Sequence, residues 1–361
     1  MKSRVKELHN RYNHIIMPAA LIGGFIIDIF TLNQIDQTFD NAILITHLLI
    51  SGTAISLLFS LGTPFGEKFL NEKRIKWIET LMVFSFGALF SGFVIFYTRS
   101  GSLLTSWPFI VTMVALMLGT EFKKKYFVRL RLQIVIYAMA LLSWCIFFVP
   151  VVIKKMGPWI FILSTLVALI LIAGFLSLLK KINPKRLVLN FKKLAIRIIG
   201  LLVLFNILYF TNIMPPIPLS LKHKAVYYNV ERLNPGYRAQ YEKTPVYIFW
   251  QKRSRYMYWR KGEDIYVFTQ VFAPTRLETT INHVWEYYDE SNRRWETRST
   301  IPIPIAGGRS DGYRGFSKKE SLEYGRWRVK TQTPNGQTLG LIKFEIKEYG
   351  SNIGELVFEE L

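Results

Sequence analysis

The chain of 361 residues lacks most of the residue types and motifs on which metal centres and common enzyme sites depend. Its one cysteine, Cys145, lies inside an apolar stretch, which excludes an internal disulfide and a thiolate metal site. The zinc-protease pattern His-Glu-x-x-His, the phosphate-binding glycine loop and the dinucleotide-binding loop are absent, and no internal repeat stands out. We therefore expect neither a metal ion nor a cofactor.

Acidic residues are scarce relative to basic ones. There are 25 Asp and Glu against 46 Lys and Arg, and the formal net charge is +21 at pH 7. Yet half of the residues are hydrophobic, and the mean hydropathy is +0.21. These properties fit together if the apolar residues are segregated into membrane spans. The composition therefore indicates an integral membrane protein.

Seven apolar stretches are long enough to cross a bilayer as helices, which requires about 20 mostly apolar residues. The first follows a basic N-terminal tail and is not followed by a small-residue cleavage pattern, so we interpret it as a retained signal anchor. The predicted spans are Ile15–Leu32, Asn41–Leu61, Trp77–Thr98, Leu104–Thr120, Leu132–Ile153, Trp159–Leu179 and Ile198–Met214.

The distribution of positive charge predicts the orientation of these spans. The N-terminal tail and the second, fourth and sixth gaps carry 20 Lys and Arg, whereas the other three gaps carry 3. Since basic loops stay on the cytoplasmic side, the N-terminus should be cytoplasmic and everything after Met214 outside. We attribute the clusters to orientation and to attraction to anionic membrane lipid. Binding to nucleic acid is the alternative, and short membrane-flanking loops disfavour it.

A change of composition at residue 215 predicts a second domain. Residues 215–222 contain three prolines, which end the preceding helix and form a collar. Residues 223–361 contain short segments rich in β-branched and aromatic residues, separated by turn signals such as Asn335-Gly336. The predicted fold is an all-α bundle of seven transmembrane helices (1–214) followed by an all-β, sandwich-like extracytoplasmic domain. The clearest predicted strands are Asp264–Ala273, Thr280–Tyr288, Gly325–Thr333 and Gln337–Lys347.

Several spaced motifs of this second domain resemble a known family. They are Val271–Thr275, His283–Trp285, Gly307–Ser317, Gly325–Val329 and Gly336–Gly340. In type and order they resemble the bacterial domain-of-unknown-function family numbered twenty-nine fourteen, and the collar is similar to the segment that precedes this domain in membrane-bound members. Together with the predicted spans and their orientation, the resemblance implies a multi-pass protein of the bacterial inner membrane whose second domain lies on the periplasmic side. It implies no activity, because none is established for the family.

The densest polar constellation of the second domain is a glycine-rich loop and the strand that follows it. Arg309 and Arg314 offer planar groups for a carboxylate or phosphate, Asp311 can orient either arginine, and Tyr313 lies between them. A second set, His283 and Trp285, shares one strand face because side chains alternate along a strand. Together these residues predict a site for an anionic sugar, a lipid headgroup or a protein partner. The alternative is a glycine-rich loop with an internal Arg–Asp bridge, with Trp285 simply in the core.

A basic and aromatic segment, Gln251–Lys261, admits two interpretations. Interleaved cations and aromatic rings are typical of polyanion sites. We slightly prefer a hairpin at the membrane surface, with Tyr256, Tyr258 and Trp259 at the headgroup level.

Within the membrane, Asp28 and His47 are predicted at matched depth on the first two helices. Ionisable groups in lipid are costly, which makes the pair a functional hypothesis. The alternative is that each residue only fixes helix packing or reaches the interface. The five histidines of the chain would have to combine from both sides of the membrane to form a three-histidine zinc site, so we exclude such a site.

These features favour a non-enzymatic module, anchored in the membrane, that recognises an envelope component or a partner protein. The alternative is a membrane-embedded enzyme or transporter that handles a lipid-linked envelope precursor, with Asp28 and His47 as its proton-handling pair. Sensing is a third hypothesis, in which ligand binding to the outer domain moves the helices.

Overall fold

The computed structural model describes residues 23, 25–32, 36–101, 103–122, 129–189, 191–216, 218–234, 236–244, 253–274, 277–306, 312–350 and 354–361. The chain forms two compact units. One comprises Met1–Arg99 and Ser106–Met214, and the other comprises Ser100–Thr105 and Pro215–Leu361. The first unit is helical and the second is β-rich.

The helical unit contains long apolar helices joined by short ones. Residues 25–31 are also helical and precede the first numbered helix. Thr63 caps α2 and Asn183 caps α7 through their side-chain oxygens, each followed by a proline in the first turn. The helices are α1 Thr38–Phe59, α2 Pro64–Phe69, α3 Glu72–Ser100, α4 Leu103–Phe122, α5 Leu130–Ile153, α6 Pro158–Ile182, α7 Pro184–Val188 and α8 Phe191–Phe210.

Five of these helices are long and apolar enough to cross a membrane: α1, α3, α5, α6 and α8. They overlap the second, third, fifth, sixth and seventh predicted spans. The fourth predicted span coincides with α4, whose apolar part, Thr105–Gly119, is shorter. Most of the first predicted span, Ile15–Leu32, lies outside the described residues. The described residues therefore support membrane insertion with five spans, and the count of seven stays a prediction.

Aromatic side chains hold the helical unit together. Phe93 of α3 stacks on Phe147 of α5 with 5.8 Å between ring centroids. Tyr97 contacts Phe109 of α4 edge-on at 4.5 Å, and Phe109 contacts Phe205 of α8 at 5.8 Å. All five side chains are buried, so these contacts link four helices in one core.

Two arginines bind the carbonyl ends of other helices. Arg99 donates to the carbonyl oxygens of Ile29 (2.8 Å) and Leu32 (2.6 Å), where helical residues 25–31 end. Arg186 of α7 donates to the carbonyl of Leu58 at 3.0 Å and to that of Phe59 at 3.3 Å, at the end of α1. The last carbonyls of a helix have no partner within it, and a cation there also complements the helix dipole. Each arginine therefore fixes one helix end to a segment distant in the chain.

The β-rich unit contains three sheets. The orders are β1-β5-β8, β4-β10-β9-β6-β7 and β11-β3-β2, with mostly antiparallel pairs and one parallel pair, β4 with β10. The strands are β1 Ser220–Tyr227, β2 Asn229–Arg232, β3 Tyr237–Glu242, β4 Tyr256–Trp259, β5 Ile265–Phe272, β6 Glu278–Asp289, β7 Arg294–Ala306, β8 Tyr313–Lys319, β9 Gly325–Gln332, β10 Thr338–Glu348 and β11 Leu356–Glu360.

The β1-β5-β8 sheet contributes to two apolar cores. On β5, Val267 belongs to the core that includes Trp285 and Trp327 of the five-stranded sheet. The next residue, Phe268, belongs to the core that includes Val230 and Ala239 of the β11-β3-β2 sheet. Successive side chains point to opposite faces of a strand, so this sheet is covered on both faces.

Two local features define the ends and edges of the five-stranded sheet. Gly336 has a φ of 85° in the tight turn between β9 and β10, where the Asn-Gly signal predicts one. Strand β7 is at one edge of the sheet and contains Pro302 and Pro304. Proline lacks a backbone donor, and an edge strand tolerates this because no other described strand pairs with its outer side.

Candidate functional site

The residues of the predicted glycine-rich site have different environments. Arg309 and Asp311 lie outside the described residues. Tyr313 and Arg314 are half-buried at the start of β8. Arg314 donates from Nη1 to the carbonyl of Leu361 at 3.1 Å. Arg314 of β8 thus binds the residue that follows β11, and the role of this site in ligand binding stays a prediction.

His283 and Trp285 are both fully buried, and the burial of Trp285 agrees with its alternative interpretation as a core residue. The Nε1–H of Trp285 donates to Oγ of Ser317 at 3.0 Å. Nδ1 of His283 lies 2.8 Å from the same oxygen, and its Nε2 lies 2.9 Å from Oγ1 of Thr269. These bonds join β6 to β5 and β8 across the interior, so both side chains belong to a polar network inside the core.

This buried network favours a neutral histidine. Burial lowers the pKa of His283 to about 3. A hydroxyl beside an imidazole resembles part of a nucleophilic site, but a nucleophile must be open to its substrate, and Ser317 is 3% exposed. The arrangement is suited to satisfying buried polar groups and specifying the contact between two sheets.

The outward side of the five-stranded sheet has a surface that the sequence interpretation did not single out. On β9, Trp327 and Val329 point into the core, so the residues that alternate with them point outward. We name this surface the cation–aromatic face. It consists of Arg326, Arg328 and Lys330 of β9, Glu286 and Tyr288 of β6, and Trp295 of β7.

Arginine–aromatic stacking organises the cation–aromatic face. The Cζ atom of Arg328 lies 4.3 Å from the ring centroid of Trp295, and that of Arg326 lies 4.0 Å from the ring of Tyr288. The rings of Tyr288 and Trp295 meet edge-on at 5.1 Å. Stacking restricts a guanidinium while leaving its N–H groups in the ring plane free to bond. The two arginines are therefore positioned in advance of any ligand.

Carboxylates partly neutralise this face. Glu286, 6% exposed, accepts from both Arg328 and Lys330, the latter at 2.8 Å. Two cations thus share one carboxylate. Arg326 binds Glu290 through Nη2 at 2.7 and 2.9 Å, and both side chains of that pair are more than half exposed. Exposed ion pairs contribute little free energy, so Arg326 can exchange Glu290 for another anion at small cost.

The sequence contains a signal for this face. In Arg326–Lys330, cations alternate with Trp327 and Val329, which is the pattern of a half-buried strand with a basic outer side. The aromatic partners come from other strands, 38 positions away for Arg326 and 33 for Arg328, and only the register of the sheet identifies them.

A second polar cluster joins the β1-β5-β8 and β11-β3-β2 sheets. Arg253 donates from Nη2 to both carboxylate oxygens of Glu359, at 2.5 and 2.7 Å. Tyr227 donates to the same carboxylate, and its hydroxyl lies 3.1 Å from Nε2 of His223. Burial and the charge of Arg253 lower the pKa of His223, against the effect of Glu359. Arg253, Tyr227 and Glu359 thus bond to one another, which favours a structural role.

The basic and aromatic segment 251–261 is only partly described. Residues 251 and 252 lie outside the described residues. Trp259 is buried in the core and donates from Nε1 to the carbonyl of Glu263, whereas Tyr256 is 43% exposed. Trp259 is therefore part of the β core, while Tyr256 has the exposure that a headgroup contact requires.

Asp28 and His47 are near each other but not directly paired. Asp28 accepts a hydrogen bond from Oγ of Ser91 at 2.5 Å. Their charges are close enough to interact, yet no ion pair within 4.0 Å joins them in the part of the chain that the structure describes. His47 instead contacts the ring of Phe84 edge-on at 5.9 Å. Asp28 thus links the first helical segment to α3, and a functional role of Asp28 and His47 stays a prediction.

Part of the β-rich unit matches a protein-family model. Residues 278–346 match the family DUF2914, described as a protein of unknown function. This confirms the resemblance found in the sequence motifs. The DUF2914 match runs from the first residue of β6 into β10 and includes every residue of the cation–aromatic face. It also includes His283, Trp285 and Ser317.

Comparisons with other proteins add no argument about function. No curated protein matches the chain. A β-glucosidase from Listeria innocua in complex with glucose is 13% identical over 27% of this chain, with a TM-score of 0.20, and the match spans 15% of that enzyme. The alkylpurine DNA glycosylase AlkC of Pseudomonas fluorescens, bound to DNA with an abasic site analog, is 11% identical over 87% of this chain and 99% of that chain, with a TM-score of 0.24. Both scores are too low to indicate a shared fold.

Proposed function

We propose that this protein is a non-enzymatic binding module of the bacterial inner membrane, which recognises an anionic glycan of the cell envelope through the cation–aromatic face. Seven helices, with a cytoplasmic N-terminus, hold the β-rich unit on the periplasmic side. The observation that carries the proposal is the stacking of Arg326 on Tyr288 and of Arg328 on Trp295.

The chemistry of the face fits a sugar that carries carboxylate or phosphate groups. A guanidinium binds such an anion with two parallel hydrogen bonds. Aromatic rings beside the guanidinium provide an apolar surface for the C–H groups on the face of a sugar ring. Because the arginines are already restricted by stacking, a ligand would lose little further conformational freedom in binding them.

The charge balance of the face also fits an anion. Arg328 and Lys330 share Glu286, which leaves one excess positive charge at the centre of the surface. Besides its stacking on Tyr288, Arg326 forms an exposed ion pair with Glu290. An incoming carboxylate or phosphate can take the place of Glu290 without leaving a buried charge unpaired.

The proposed periplasmic location of the β-rich unit rests on the alternation of basic and charge-poor gaps between the predicted spans. The helix α4 covers the fourth predicted span, and residues 25–31 are helical within the first. Both observations support a bundle of seven spans, two more than the five helices that are long and apolar enough to cross a membrane.

The proposal is tested by binding to defined polymers. Full-length protein in detergent is titrated with polygalacturonate, a phosphate-containing teichoic acid and neutral dextran, and binding is followed by calorimetry. We expect binding to one or both acidic polymers and none to dextran. The double variant Arg326→Gln/Lys330→Gln should lose about 10-fold or more in affinity, since charge-assisted hydrogen bonds contribute roughly 1.5–3 kcal/mol each.

The matched control is Arg232→Gln, which removes an exposed cation at the end of β2, in another sheet. It should bind as wild type does. Equal loss in the control would show that only net charge matters and would contradict the proposal. Absence of polymer binding, together with a stable protein companion in mild detergent, would instead favour the interaction-protein interpretation.

A further inference from the structure

The helical unit has a groove whose composition changes along its length. It has a volume of about 580 Å³ and lies where α6 ends beside α7 and the start of α8. Its walls are mostly apolar, and two lysines contribute to its lining. The lining residues are Ala173, Leu176, Ser177, Lys180, Leu187, Val188, Phe191 and Lys192.

The groove continues an apolar surface of α6. Leu166, Leu169 and Ile170 are between 42% and 69% exposed, which is expected of a helix side that contacts lipid tails. The first charged residue along α6 is Lys180, in its last turn. The groove therefore lies where the hydrocarbon layer gives way to the headgroup layer.

The lysines of the groove have no acidic neighbours in the sequence. No Asp or Glu occurs between Glu121 and Glu231. No ion pair joins Lys180 or Lys192 to an acidic side chain among the residues that the structure describes. An uncompensated pair of ammonium groups beside an apolar groove is complementary to a phosphate attached to acyl chains.

The helix α7, which lines part of the groove, is fixed by hydrogen bonds to the end of α1 and to Leu61. Arg186, next to Leu187, donates to the carbonyls of Leu58 and Phe59 at the end of α1. The Nδ2 atom of Asn183 lies 3.4 Å from the carbonyl oxygen of Leu61. Leu187 is 3% exposed as a result of this docking, whereas Val188, the next residue, is 67% exposed. The short helix α7 is thus held in place, and the groove exists before a ligand enters.

We propose that this groove is a binding site for an anionic phospholipid. Lys180 and Lys192 bind its phosphate, and an acyl chain lies against Ala173 and Leu176 in the apolar part. The site is distinct from the cation–aromatic face, and it does not depend on the glycan proposal.

The test measures lipid-dependent stability of the full-length protein. Detergent-solubilised protein is titrated with phosphatidylglycerol or with phosphatidylcholine, and the thermal midpoint is recorded. We expect phosphatidylglycerol to raise the midpoint at lower concentration than phosphatidylcholine does. Lys180→Gln/Lys192→Gln should need roughly 25-fold more phosphatidylglycerol for the same shift, because each of the two cations near a membrane phosphate contributes about a 5-fold factor.

The matched control is Lys154→Gln/Lys155→Gln, which removes two exposed lysines just before the other end of α6. It should respond to phosphatidylglycerol as wild type does. Equal weakening in both double variants would show general charge attraction and overturn the proposal. An equal response of wild type to the two lipids would also overturn it.

A second variant tests the apolar part while keeping both lysines. Ala173 is exposed at the groove, so Ala173→Phe should fill the groove without disturbing the helix core. We expect the same loss of the phosphatidylglycerol response. An unchanged response would show that no acyl chain occupies the groove and would contradict the proposal.

Discussion

Nδ1 of His283 lies 2.8 Å from Oγ of Ser317, and neither side chain is accessible to solvent beyond a few per cent. Ser317 also accepts from the indole of Trp285. A single hydroxyl on β8 therefore satisfies two polar groups of β6. These two groups lie on the inner side of the five-stranded sheet, and the cation–aromatic face lies on its outer side.

Removing this hydroxyl should destabilise the β-rich unit. In Ser317→Ala, Trp285 and His283 each lose a buried hydrogen-bond partner, so we expect the free energy of unfolding to fall by about 1–3 kcal/mol. Urea unfolding of the full-length protein, followed by tryptophan fluorescence, measures the change. Thr331→Val is the control. Thr331 Oγ1 is buried and has no hydrogen-bond partner in the described part of the chain, so its removal should cost nothing or stabilise the fold.

The stability should fall as the pH falls below about 6.5. Burial lowers the pKa of His283 to about 3 in the folded protein, whereas an unfolded histidine titrates near 6.5. Between these values the unfolded state binds more protons, so the loss approaches about 1.4 kcal/mol per pH unit. The lowered pKa of His223 acts in the same direction. Urea midpoints at pH 7.5 and 5.5 measure the loss. A slope in His283→Gln as steep as that of wild type would contradict this assignment.

Arg186 should matter more to the helical unit than another arginine of the same region. Arg186→Gln removes the guanidinium that binds the carbonyls of Leu58 and Phe59, and we expect a loss of about 1–2 kcal/mol. The thermal midpoint in detergent reports the effect. Arg197→Gln removes an exposed cation of α8 and should leave the midpoint nearly unchanged.

Reporter fusions test the predicted orientation. Alkaline phosphatase, which is active only after export, should be active when fused after Leu361 and inactive when fused after Lys193 in the sixth gap. A fluorescent protein that matures in the cytosol should give the reverse pattern. Fluorescence from the fusion after Leu361 would place the β-rich unit in the cytoplasm and exclude the glycan proposal.

Much of the β-rich unit was predictable from local pattern. The predicted strand Asp264–Ala273 appears as Ile265–Phe272, and the Asn-Gly turn between β9 and β10 lies where expected. In these segments, alternation and turn chemistry agree with the final packing. The helices α5 and α6 follow their apolar runs for the same reason, since hydropathy over about 20 residues needs no tertiary information.

Pairing between distant segments was not predictable. Strands β3 and β11 pair although more than 100 residues separate them, and β4 joins β10 in parallel. Local pattern also identifies the two faces of β6 without deciding which one is buried, because His283 and Tyr288 are both amphipathic residues. Register with β9 decides it, since His283 lies opposite Thr331 and beside the buried Trp285.

The prolines at positions 302 and 304 limit how molecules of this kind can meet. Along the open side of β7 they interrupt the row of amide donors that an incoming strand would need. Each proline removes one donor, so this part of β7 is a poor template for a strand from a second copy on the same bilayer.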